Sequence, residues 1–133
     1  MTHTQLTPFL RRVLLFDATT CAIFGFVLLA AGDALGRLLA IPASLAYGAG
    51  VVLLIFAAAV AYVGTRRELL WRAVWTIVVL NALWAVESVL ALVAGWLEPD
   101  APGRSFIVAQ AVTVAVIVEL QIIGLRRAKS VQA

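Results

Sequence analysis

Residues 43–63 read ASLAYGAGVVLLIFAAAVAYV, without one charged or amide side chain. At 1.5 Å per residue a helix of this length reaches about 31 Å, the thickness of a bilayer's hydrocarbon core. A helix on a water-soluble domain keeps a polar face, and this stretch has none. Backbone groups in lipid must be satisfied within their own segment, so the stretch is expected to be a membrane-spanning helix. Pro42 opens it, and Gly64-Thr65-Arg66-Arg67-Glu68 closes it.

Three further apolar stretches flank it, at about 13–31, 75–96 and 106–125. Gly32-Asp33-Ala34-Leu35-Gly36-Arg37 breaks the chain after the first, and the Pro- and Gly-containing run from Glu98 to Arg104 separates the last two. The expected fold is all-α, a bundle of four transmembrane helices in a single integral-membrane domain over residues 1–133. Composition agrees, with 64% hydrophobic and 13% charged residues, where a soluble domain carries about 25% charged. Arg11-Arg12 before an apolar run loosely resembles a cleaved leader. Asp17 interrupts that run, and its length exceeds a leader's core, so it is read as a span.

The basic residues set an orientation. Arg11, Arg12, Arg66, Arg67, Arg72, Arg126, Arg127 and Lys129 fall on one side of a four-span topology, and Arg37 and Arg104 on the other. An excess of this kind marks the cytoplasmic side, which puts both termini and the middle loop there. Trp71, Trp75 and Trp96 around the third span, and Tyr47 and Tyr62 around the second, suit the two interfaces. Nine arginines to one lysine, with abundant Ala, Leu and Val, suit a GC-rich bacterial genome and hence a bacterial inner (plasma) membrane. The net charge of +3 sits at span ends and follows topology, so no nucleic-acid partner is implied. The partners expected are the lipid bilayer and either further copies of the chain or a larger membrane protein.

Phe16-Asp17-Ala18 in the first span matches Leu80-Asn81-Ala82 in the third, and Gly64-Thr65-Arg66-Arg67 matches Gly124-Leu125-Arg126-Arg127. Both halves begin on the same side, so duplication would give two parallel-repeated helical hairpins about an axis along the membrane normal. The alternative is chance likeness between Ala/Leu/Val helices. The run Asn81-Ala82-Leu83-Trp84 with Ser88, Pro99, Gln110-Ala111 and Leu120-Gln121-Ile122-Ile123-Gly124-Leu125-Arg126-Arg127 resembles an uncharacterised family of small four-helix bacterial inner-membrane proteins. The resemblance implies a fold and a location, and no chemistry.

Function has to be sought in the few polar residues inside the spans, because such groups are costly in lipid and turn toward a partner, water or a pathway. Asp17, Asn81 and Glu119 lie at matched depth, roughly 8–10 Å inside the arginine-rich boundary. They are expected to form a shared layer, either as a proton or cation site or as structural pairs with nearby arginines. Glu87 lies near mid-bilayer with no arginine of its own helix in reach. It shares a polar arc with Trp84 and Ser88, and is expected to face the bundle interior, either as a neutral acid with Asn81, Ser88 or Gln110 as partners or as a ligand or proton site with Trp84 as its wall. Gln110 and Gln121 lie on one stripe of the fourth span, with Glu119 on its opposite side. The second span, lacking polar side chains, is expected to be the one turned most to lipid.

The single cysteine, Cys21, excludes an intrachain disulfide, and the single histidine, His3, lies in the N-terminal segment. No histidine in a span, no Ser-His pair and no Gly-rich phosphate loop point to catalysis, and no ligand set points to a metal or another cofactor. Two functions are carried forward. One is a non-enzymatic membrane protein of scaffold or accessory type. The other is an oligomeric proton- or cation-coupled small transporter or channel that uses the intramembrane carboxyl groups.

Overall fold

The computed structural model describes residues 5–95 and 99–132, with side chains through residue 128. Among these residues the chain is all-α, apart from one isolated antiparallel bridge between Gln5 and Glu68. The helices are α1 (Pro8–Ala30), α2 (Gly32–Leu39), α3 (Ala43–Thr65), α4 (Trp71–Val93) and α5 (Ala101–Gln132). Four of them, α1, α3, α4 and α5, are long and apolar enough to cross a membrane, and the chain is a multi-pass membrane protein. The expected end of the third span at Trp96 lies outside the described residues.

Local sequence sets the helix ends. Thr7 caps α1 by accepting a hydrogen bond from the Leu10 N–H at 3.3 Å, and Pro8 occupies the first turn, where no amide hydrogen is needed. The helix therefore starts five residues before the expected apolar boundary and carries Arg11 and Arg12 on its first turns. The Gly32–Arg37 segment, expected as a plain break, forms α2. Its Gly32, Gly36 and Leu39 are buried at i, i+4 and i+7 spacing, while Asp33 and Arg37 stay exposed. An amphipathic pattern of this kind suits one helical turn after another along the bundle end. Ala40, at φ 58°, closes α2 in the left-handed region, with the Ile41 N–H donating to the Gly36 carbonyl at 2.8 Å.

Packing follows small residues rather than hydrophobicity. On α3 the buried stripe is Ala46, Gly50, Leu53, Ala57, Val60 and Gly64. The spacing alternates between four and three residues, the 3.5-residue repeat of a left-handed coiled seam. It meets a similar stripe on α1 that includes Leu10, Leu14, Ala18, Gly25 and Leu28. A Cβ on Gly25 would stand 3.0 Å from the Gly50 carbonyl oxygen, and one on Gly50 would stand 3.0 Å from that of Gly25. The two backbones thus touch at this crossing, as small residues allow in lipid. The expectation that this polar-free helix is the one most turned to lipid is therefore corrected. It is α4 that buries the smallest share of its span, and its buried residues, Val74, Ile77, Val78 and Asn81, all lie in its first half.

The helices pair as α1 with α3 and α4 with α5, and α1 also packs on α5, whereas α3 and α4 barely meet. Two hairpins are thus present as packing units. Asp17 and Asn81, which correspond in the internal repeat, face one another, as residues beside a two-fold axis would. Gly64 and Gly124 also correspond, yet both pack on α1, so the likeness does not extend through the second helix of each hairpin.

One end of the bundle is tied together by Arg11. Its guanidinium donates to the Gly64 carbonyl at 2.8 Å and to the Arg66 carbonyl at 3.0 Å, covering oxygens at the α3 C-terminus that have no helical partner. The Leu6 N–H donates to the Arg67 carbonyl at 2.9 Å, and Arg127 of α5 stacks over Phe9 at 4.9 Å. Arg11→Ala is expected to lower stability by about 1–2 kcal/mol, the usual worth of charge-assisted hydrogen bonds at a half-buried site. Arg12, exposed and outside this network, should tolerate alanine within about 0.5 kcal/mol. Unfolding of both variants in mixed micelles checks the contrast, and equal losses would show that charge rather than capping is at work.

Candidate functional site

Asp17 of α1 is 2% exposed, Asn81 of α4 5% and Gln121 of α5 fully buried. They meet in the apolar core. The Asn81 Nδ2 and Gln121 Nε2 groups each donate to Asp17 Oδ2 at 2.8 Å, and Asn81 Nδ2 also lies 3.4 Å from Gln121 Oε1. Cys21, one turn along α1, donates its thiol hydrogen to Asp17 Oδ1 at 3.5 Å. Three helices are thereby joined through one carboxyl group that accepts at both oxygens. The expected arginine pairing of Asp17 is replaced by amide pairing, because Arg11 turns to the α3 carbonyls instead. Amide donors at hydrogen-bond distance satisfy a buried acceptor without bringing a second charge into lipid.

Glu119 stands outside this group. It lies two residues before Gln121, hence about 160° around the α5 axis, and it is exposed. The layer expected from Asp17, Asn81 and Glu119 is corrected to Asp17, Asn81 and Gln121. Linear depth matched Asp17, Asn81 and Glu119, and rotation about the α5 axis puts Gln121 rather than Glu119 in the core.

Above the triad the splay between α3 and α4 leaves a cleft of about 430 Å³. Asn81 and Cys21 form part of its floor. Phe24, Phe56, Phe106 and Trp84 line its walls, and Glu87 and Thr113 supply polar groups. Phe24 and Phe106 stack at 5.5 Å between centroids. The outer lips, Val52 of α3 and Leu83 of α4, are 61% and 50% exposed, so the cleft opens sideways between these helices. A second hollow on the far side of α4 and α5 is lined by Val, Ala and Leu side chains alone and offers no chemistry.

The Trp84 wall is held in place. Its indole Nε1–H donates to Gln110 Oε1 at 2.8 Å, Gln110 Nε2 donates to Ser88 Oγ at 2.9 Å, and the Ser88 hydroxyl donates to the Trp84 carbonyl at 2.8 Å. This ring of bonds links α4 to α5 and fixes the indole plane. Gln110 and Ser88, expected as partners of Glu87, are therefore taken by Trp84. Glu87 has no hydrogen bond or ion pair with another described residue, and it is exposed on the cleft wall. The expected burial in the bundle interior is corrected: the polar arc of α4 faces a cleft because α3 diverges from it. Among the described residues no group of three or more His, Cys, Asp or Glu side chains is placed to hold a metal ion.

The phenylalanines of the cleft carried no signal in the sequence, since a phenylalanine in an apolar helix reads as ordinary lipid or core contact. Only the splay of α3 from α4 brings Phe56 opposite Trp84. No protein-family description matches the chain, and neither curated proteins nor solved structures yield a match.

Proposed function

We propose that this chain is a small non-enzymatic protein of the bacterial inner membrane, of scaffold or accessory type, whose working part is the lipid-open cleft between its two hairpins. The observation that carries this reading is the relation of cleft to triad. The cleft opens sideways, and its floor abuts a core in which both Asp17 oxygens are engaged by donors from three helices. A site of this shape suits a molecule drawn from the bilayer. The resemblance of Asn81–Trp84 with Ser88, Pro99, Gln110-Ala111 and Leu120–Arg127 to small four-helix inner-membrane proteins supports the same location. Both termini are assigned to the cytoplasm, since Arg11, Arg66, Arg67 and Arg127 gather at the end where α1 starts and α5 finishes.

Glu87 favours a second reading, an oligomeric proton- or cation-coupled transporter, because an unpartnered carboxyl group in a span is a usual element of ion pathways. Proteoliposomes with an imposed proton or potassium gradient separate the two. The binding reading expects flux no greater than in empty vesicles, and no change on Glu87→Gln or Asp17→Asn. Flux that depends on either residue overturns it in favour of transport.

A further inference from the structure

We propose that the cleft binds a hydrophobic monocation, an amine or quaternary ammonium carrying aromatic or branched alkyl groups, which enters from the bilayer and sets its charge against Glu87. The inference rests on the reading of the cleft as a binding site and adds the chemistry of the ligand.

Apart from the second Nε2 hydrogen of Gln110, the polar atoms that the cleft leaves free are acceptors. Thr20 donates its hydroxyl hydrogen to the Phe16 carbonyl at 2.9 Å, and Thr113 donates its own to the Ala109 carbonyl at 2.9 Å. Each hydroxyl is left with oxygen lone pairs. Asn81 directs its amide nitrogen at Asp17 and Gln121, so what it has left to offer is its carbonyl oxygen. Glu87 adds a carboxyl group with no partner among the described residues. A lining of acceptors calls for a ligand that is a donor or a cation. A lipid tail would fill the space and leave every one of these atoms unmet.

Among the described residues no cation lies against Glu87. Arg72 on α4 is fifteen residues from Glu87, about 22 Å along the axis. Arg104, in the first turn of α5, lies six residues before Gln110, about 9 Å away along the axis, and is exposed without a bond to Glu87. The walls favour a cation as well. Trp84, Phe24, Phe56 and Phe106 present aromatic surface, and a ring face attracts a positive charge most strongly when water is excluded. Trp84 and Glu87 lie three residues apart on α4, hence on neighbouring parts of one face. A volume of about 430 Å³ falls at the small end of ligand pockets, so the ligand is a single compact molecule rather than a phospholipid.

The test compares benzyltrimethylammonium with its uncharged carbon isostere, neopentylbenzene, by equilibrium dialysis against the full chain in phosphatidylcholine nanodiscs, with empty discs subtracted. The cation is expected to bind saturably, and Glu87→Gln to weaken it at least tenfold while the isostere is unaffected. Glu119→Gln, which removes an exposed carboxyl group outside the cleft, is expected to leave both unchanged. Thr113→Trp, which fills the cleft, is expected to abolish both. Equal binding of cation and isostere, insensitive to Glu87→Gln, overturns the cation assignment and leaves the cleft as a neutral binding site. Equal losses from Glu87→Gln and Glu119→Gln overturn it as a surface-charge effect. Absence of saturable binding of either probe overturns both the assignment and the reading beneath it. So does a Glu87-dependent dimer that takes up neither probe, with a second copy then the occupant.

Discussion

Asp17→Leu is expected to destabilise the bundle by about 2–4 kcal/mol, one of the two largest effects of a single substitution in this chain. Leucine removes the acceptor for two amides and a thiol while matching aspartate's position in a well-packed seam. Interhelical hydrogen bonds in membranes are worth about 0.6 kcal/mol on average and up to about 1.7. Two of them go, about 1–3 kcal/mol together, and the Gln121 Nε2 group is left unmet at a further cost of about 1 kcal/mol, while Asn81 Nδ2 keeps its 3.4 Å contact with Gln121 Oε1. Asp17→Asn keeps one carbonyl oxygen where Oδ2 stands, so both amides retain an acceptor and the loss should stay below about 1 kcal/mol. Replacing all three polar residues by leucine should recover most of the stability, since no buried polar atom is then left unmet. Glu119→Gln, at an exposed site, should stay within about 0.5 kcal/mol of the parent. Steric-trapping unfolding in bicelles reads all four. An Asp17→Leu variant as stable as Glu119→Gln would remove the triad as the link between the hairpins.

Gly50→Val is expected to cost about 2 kcal/mol or more, because overpacking of a tight contact typically costs 1–3 and here the nearest opposing atom is a backbone oxygen. A side chain at this position runs into the Gly25 carbonyl oxygen and into Leu28 and Leu29. Rotating Leu29 leaves the contacts with the Gly25 oxygen and the Leu28 Cβ in place, so α1 and α3 must give way at this crossing. Gly48 lies two residues away on the same helix, and a Cβ there meets nothing within 4 Å. Gly48→Ala should therefore be neutral or stabilising by up to about 1 kcal/mol, through helix propensity alone. The same unfolding assay applied to the pair isolates packing from propensity. If Gly50→Val and Gly48→Ala shift stability by the same amount, the Gly25–Gly50 contact is not what holds α1 to α3.

Spans, class and charge bias were legible in the sequence because each is a property of a single segment. Residues 43–63 cannot lie in water without burying every side chain, and the α3 helix found over 43–65 is the direct result. The depth of Asp17, Asn81 and Gln121 could likewise be measured by counting from a boundary, as helix rise is constant. Their company could not. Glu119 and Gln121 are two residues apart and at one depth, yet one faces outward and the other closes the core, because rotation about α5 is settled by the packing of Ile117, Gly124 and Leu125 against neighbouring helices. The helix judged most lipid-facing proved better packed than α4 and α5, since in lipid apolar surface does not by itself drive helices together and close approach of small residues does. For the same reason the cleft has no linear signature. Phe24, Phe56, Trp84 and Phe106 come from four helices, and their meeting depends on α3 and α4 diverging, a relation between distant segments that arises only when all the seams are formed at once.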